Sequence, residues 1–225
     1  MSVFATLVER LADLLQPLFA TAATAAAIVL FTALVRLAIH PLSRAAARGQ
    51  KARTRIAPQL AALREKHGKN PERLRKEVGE LHARENVSPF SGMLPSLFQL
   101  PAFLLMYYLF AGDRMAGHSL FAAPLGDRWT DALTAGGPFG PAGLVYVALF
   151  AIVAAVATYS FRRTKRQMAE TAGTLPEGPG AATLAKVMPL LAYGTLVTVA
   201  VVPLAAALYI VTSTTWTVVE RALLL

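Results

Sequence analysis

Read by polarity alone, the chain alternates long apolar runs with polar stretches. In residues 1–18, Val3, Leu7, Leu11, Leu14 and Leu15 recur at helical spacing while Glu9, Arg10 and Asp13 fall elsewhere. That pattern predicts a short amphipathic helix lying in a membrane interface, ended or bent at Pro17. The first spanning run is 19–42. Its uncharged part, Phe19 to Val35, is 17 residues, or roughly 25 Å of helix, nearly enough to cross a hydrocarbon core. Further apolar runs cover 94–110, with Pro95, Pro101 and the amide Gln99 inside, and 142–161. The last run, Val187 to Leu225, is too long for one crossing, and Pro203 is its natural break, giving spans 187–202 and 204–225.

The polar stretches are as patterned as the apolar ones. In 43–93, Pro58 is expected to restart or kink a helix, and Leu60 and Leu63 share a face. Gly68-Lys69-Asn70-Pro71 then supplies a C-terminal stop, an N-cap and a proline at the first helical position. Leu74, Val78 and Leu81 give the following helix an apolar seam. This reads as a helical hairpin, about 58–67 against 71–85. Residues 111–141 are rich in Gly and Pro and read as a loop, and 162–186 as a short basic loop. The fold class is therefore all-α: a polytopic membrane bundle of five transmembrane helices with an N-terminal interfacial helix and a cytoplasmic hairpin.

Composition agrees. Hydrophobic residues make up 55% of the 225 and charged residues only 16%, and nothing alternates as barrel strands do, so helices must satisfy the backbone in lipid. The absence of cysteine excludes disulfides, thiolate metal sites and a Cys nucleophile. The N-terminus has no basic n-region or small-residue cleavage site, so no signal peptide is expected. Charge orients the bundle. Residues 43–90 carry 12 Lys/Arg against 5 Glu and 162–186 carry five basic against two acidic residues, whereas 111–141 has Arg114 and Arg128 against Asp113, Asp127 and Asp131. The positive-inside rule places the first two in the cytosol and the third outside, with the N-terminus out and the C-terminus in.

One residue breaks the apolar pattern of the first span. Arg36 stands near its end, and Thr32, Arg36 and His40 at i, i+4 and i+8 form a polar stripe. A guanidinium in lipid costs about 3 kcal/mol on insertion scales. Two readings are open: Arg36 snorkels to the headgroups, or it lines a functional polar groove. Catalytic chemistry has little to stand on. His40, His67, His82 and His118 are scattered and no HExxH or GxSxG occurs, so no catalytic residue, metal or cofactor is expected. A small-solute or anion transporter is the better alternative, because an intramembrane Arg could bind an anion. Against it stand the lack of internal repeats and a large basic hairpin that transport does not require.

With these features assembled, the sequence resembles the YidC/Oxa1/Alb3 family of membrane protein insertases, in its five-span bacterial form, over nearly the whole chain. Ser88-Pro89-Phe90-Ser91-Gly92-Met93-Leu94-Pro95-Ser96-Leu97-Phe98-Gln99-Leu100-Pro101 matches the family's N-P-x-x-G-x-x-P-x-x-x-Q-x-P apart from Ser88. Leu34-Val35-Arg36-Leu37 with Pro41-Leu42, the Gly68 to Leu74 turn, Met188-Pro189 and Pro203 through Tyr209 also fit. Ile210 follows Tyr209 where the family often has Trp, Ser213 and Thr214 stand where Asn is common, Ala205 replaces a usual Gly, and Trp216-Thr217 is kept.

The resemblance implies a polar groove open to the cytosol and the inner leaflet, with Arg36 as its charge and Gln99 as a polar group. Thr32, Ser96, Thr212, Ser213 and Trp216 are added by helix-face arithmetic; ordinary interhelical hydrogen bonding is the alternative for each. Nascent membrane proteins are the implied partners, with the ribosome, the Sec translocon and anionic lipids as further ones, and the bacterial inner membrane as location. The chain stops soon after the last span, so Arg73, Arg75 and Lys76 of the hairpin are expected to carry ribosome contact.

Overall fold

The computed structural model describes residues 2–68, 70–85, 117–170 and 187–224. The expected second span, 94–110, lies outside them. Helix α1, Ser2–Phe19, accommodates Pro17 in its last turn. The chain then turns sharply at Ala20, whose φ is 44°, passes a 3-10 turn at Ala20–Ala22 and enters α2, Ala23–Ala38. This turn lets α1 pack along α2. Val8 is fully buried, with Leu11, Ala12 and Leu15 packed on the core, while Leu14 and Leu18 are 75% and 79% exposed. The helix thus has two apolar faces, one toward protein and one toward the surroundings. Its pattern of Leu7, Leu11, Leu14 and Leu15 reflects their sum.

Only Ile39 separates α2 from α3, His40–His67. Pro41 falls in the first turn of α3, where its missing N–H has no intrahelical partner to lose. Pro58 is expected to restart or kink a helix; it restarts none, because the 28-residue α3 runs through it and gives up one backbone hydrogen bond there. Asn70 caps α4, Pro71–Arg84, by accepting from the Arg73 N–H at 3.1 Å. Helices α3 and α4 touch, with Arg55 donating to Glu85 at 2.9 Å and His67 Nε2 at 3.1 Å from Glu77 Oε2. Ile56 and Leu81 are their buried apolar residues.

The described part of 111–141 is more than a loop. Strands β1, Ser119–Leu120, and β2, Ala123–Pro124, pair antiparallel with Ser119 opposite Pro124, and α5 follows at Trp129–Gly136. These elements are too short for periodicity to reveal them. They fold inward, burying Ala123, Leu125 and Ala132. Trp129 stacks edge-on against Phe150 at 5.3 Å and lies 5.7 Å from the ring of Tyr146, which ties α5 to α6, Pro141–Glu170. In the first turn of α6, Gly143 sits where a Cβ would come within 2.2 Å of the Gly137 carbonyl oxygen. Helix α6 continues beyond the expected span end at 161, so the Arg162–Arg166 run is helical.

Residues 187–190 are helical, Leu191–Tyr193 form a 3-10 turn, and α7 covers Gly194–Val201. The chain breaks at Pro203, as its sequence predicts, before α8, Leu204–Leu224. The break leaves the first N–H groups of α8 without intrahelical acceptors. Leu204 N–H donates instead to the Asp127 carbonyl and Ala205 N–H to that of Leu125, each at 2.9 Å. Residues 204–211 are buried all round and join Ala25, Ala27, Ile28, Phe31, Leu149 and Val153 in one core. Among the described residues, two helical stretches, within 6–38 and 141–169, are long and apolar enough to cross a membrane, and 187–201 is a shorter apolar helix. In such a bundle lipid is as apolar as the core, so close packing of small residues has to hold helices together. The alanines of α2 (25, 27) and α8 (205, 206, 207), all buried, permit that approach.

Candidate functional site

Helices α2 and α8 pack side by side, and their polar residues meet there. Thr32 is 2% exposed and donates to the Ile28 carbonyl at 2.7 Å, one turn back in its own helix. Arg36 is 9% exposed and donates through Nη2 to the Ser213 hydroxyl. Tyr209, one turn before Ser213, is buried and placed to hydrogen-bond it. Thr217 donates to the Ser213 carbonyl at 2.9 Å. Below this level His40 Nδ1 pairs with the Glu220 carboxylate, and Glu220 is itself buried. Because 36 pairs with 213 and 40 with 220, α2 and α8 run parallel.

The guanidinium is therefore folded against α8. Its hydrogen-bond partner is neutral. A buried cation with a hydroxyl partner is costly unless water or a counter-charge reaches it, and among the described residues no carboxylate forms a salt bridge with Arg36.

Of the residues expected at a groove, the structure brings Arg36 and Ser213 into contact, with Thr32 buried one turn before Arg36 and bonded within its own helix. Trp216, one turn after Ser213, is half-buried, and its indole N–H has no hydrogen-bond partner among the described residues. Thr212 is half-buried at the position next to Ser213, about 100° round the helix. Ser96 and Gln99 lie outside the described residues. Arg73, Arg75 and Lys76 are all exposed on α4. The sequence reading missed Glu220 and Tyr209. Glu220 did carry a signal: it is the single acidic residue between 187 and 225, and an acid at the end of an apolar helix calls for a partner. Tyr209 carried two, its place in the family-like Pro203 to Tyr209 segment and its helical spacing from Ser213.

The fold and the site define a helical membrane protein whose bundle carries a buried, hydroxyl-bonded cation. Residues 15–225 match the family described as 60Kd inner membrane protein, and the chain belongs to that family, the YidC/Oxa1/Alb3 family. A protein of Clostridium perfringens named membrane protein insertase YidC is 40% identical over 103 residues, 45% of this chain and 42% of that protein. Bearing the same name, a protein of Azotobacter vinelandii is 38% identical over 82 residues, 36% of this chain and 15% of its own length. Another, from Pelodictyon phaeoclathratiforme, is 32% identical over 134 residues, 59% and 23% respectively. The match thus spans less than half the length of each of these relatives. None of the three bears a transporter's name.

Proposed function

We propose that this protein is a membrane protein insertase that takes nascent segments into a polar groove and releases them into lipid. The observation that carries the reading is the buried Arg36 on the Ser213 hydroxyl, in a chain whose relatives are named insertases. The groove opens to the cytosol and inner leaflet, with Arg36, Thr32, Ser213, Thr212 and Trp216 on its wall and Ser96 and Gln99 contributed by the second span. A client's polar flank is held part-way across by hydroxyls, water and the guanidinium. Its apolar part then slides into the bilayer, where each central Leu, Ile, Phe or Val contributes about −0.3 to −0.6 kcal/mol. That transfer drives the cycle, so no covalent step, nucleotide, metal or cofactor is needed.

The proposed architecture has five spans, N-terminus outside and C-terminus in the cytosol of a bacterial inner membrane. The parallel α2 and α8 suit it, since first and fifth spans of such a bundle cross in the same direction. Helices α3 and α4 form the cytoplasmic hairpin, whose Arg73, Arg75 and Lys76 face ribosomal RNA or anionic lipid. The Sec translocon is a further partner.

The test is insertion in vesicles of purified protein given a single-span client made in a cell-free system. Protease-protected client above the protein-free level is expected, with a photo-crosslinker at Trp216 or Thr212 capturing the client during insertion. Insertion equal to empty vesicles would falsify the reading, and selective passage of a small anion through the same vesicles would replace it with transport.

A further inference from the structure

The molecule carries its own carboxylate close to the arginine that awaits a client's. Glu220 is 8% exposed, sits on the face of α8 that also presents Ser213, and pairs with His40, one turn beyond Arg36. It is not spent on Arg36, whose Nη2 goes to Ser213, but is turned to His40, the first residue of α3. Arg36 and His40 lie one turn apart and Ser213 and Glu220 two, so the two pairs form successive rungs between α2–α3 and α8.

We infer that Glu220 is a specificity-determining residue of the groove: a resident carboxylate that partly cancels the field of Arg36 and so sets how strongly acidic client segments are held. The inference rests on the insertase reading above. An uncompensated buried guanidinium would bind a client carboxylate tightly and give it up slowly, whereas passage requires binding strong enough to enter and weak enough to leave. Glu220 supplies the weakening, and His40 fixes how much by holding the carboxylate away from Arg36. Glu220 and His40 therefore act through Arg36 as positioning residues, and their removal has opposite consequences. Without the carboxylate the arginine's pull on acidic segments rises. With His40 gone, the carboxylate turns toward Arg36 and the pull falls. A clamp that merely joined α3 to α8 would respond alike to loss of either side chain.

The experiment uses full-length protein reconstituted at matched density, with clients identical but for an acidic or a neutral translocated tail. It reads the ratio of acidic-tailed to neutral-tailed client inserted. Glu220→Gln is expected to raise this ratio by about threefold to tenfold, the scale of one nearby charge removed at an intermediate dielectric, and His40→Ala to lower it. Both shifts should vanish in an Arg36→Gln background, as a double-mutant cycle requires of residues that act through one another. Should Glu220→Gln not fold, His40→Ala alone and in the Arg36→Gln background carries the same test. Unchanged ratios, shifts of the same sign, or shifts that persist without Arg36 overturn the inference while wild-type insertion keeps the insertase reading standing. Failure of the wild type to insert either client removes that reading, and the inference with it.

Discussion

The hydroxyl partner of Arg36 makes the residue's charge, more than its hydrogen bonds, its contribution. Lysine keeps the charge and loses the planar fork, so Arg36→Lys should retain part of the insertion activity. Arg36→Ala should lose activity chiefly for acidic-tailed clients, read as protease-protected product for acidic and apolar tails side by side. Equal insertion of the acidic-tailed client by wild type and Arg36→Ala would remove the groove role and leave the fold untouched. Tyr146 is a residue of a different kind. Its hydroxyl donates at 2.6 Å to the Asp127 carbonyl, which also receives Leu204 N–H. Tyr146→Phe leaves that carbonyl one donor, so the cost should be about 1 kcal/mol, seen as a Tm lowered by a few degrees in detergent. A loss as large as that of a buried cavity mutant would mean that the hydroxyl does more than pin the strand-and-helix segment.

Among the elements, α3 and α4 owe their boundary to local chemistry. Asn70 caps α4 from its own sequence neighbourhood, and Asn70→Ala should destabilise it by about 1 kcal/mol, measurable as loss of amide protection confined to 72–75. Protection unchanged there would show that packing on α3 alone holds the first turn. The exposed Arg73, Arg75 and Lys76 predict that reversal of all three to Glu weakens ribosome co-sedimentation, and that wild-type binding falls as salt rises. Identical sedimentation of the two proteins at low salt would sink that role. Helix α8 depends on distant groups. Its start is completed by carbonyls of 125 and 127, so a break that Pro203 announces is made tolerable only by a segment about 80 residues earlier in the chain.

At the scale of the molecule, charge asymmetry between the polar segments predicts which side each occupies. With no native cysteine, a single cysteine at Gly136 should react with an impermeant thiol reagent from outside intact cells, and one at Arg75 only after the cytosolic side is opened. Labelling of Gly136→Cys from the cytosolic side alone would invert the proposed orientation. Because α2 and α8 run parallel, Arg36 and Glu220 share the end of the bundle from which the basic α3 leaves.

Much of this was legible without coordinates, where short-range physics suffices. Apolar length announced the helices now seen over 23–38 and 141–170, proline and glycine punctuated the chain at 68–71 and 203, and an arginine in an apolar run marked the site. The motif around Gln99 pointed to the family. Local signals failed at 119–136, whose strands and helix are too short to show a period. Which polar groups meet was decided by tertiary structure alone. The pairing of Arg36 with Ser213 and of His40 with Glu220 spans about 180 residues and depends on the relative rotation and axial offset of two helices. Both are set by how small residues let their backbones approach, and a one-dimensional pattern does not contain that.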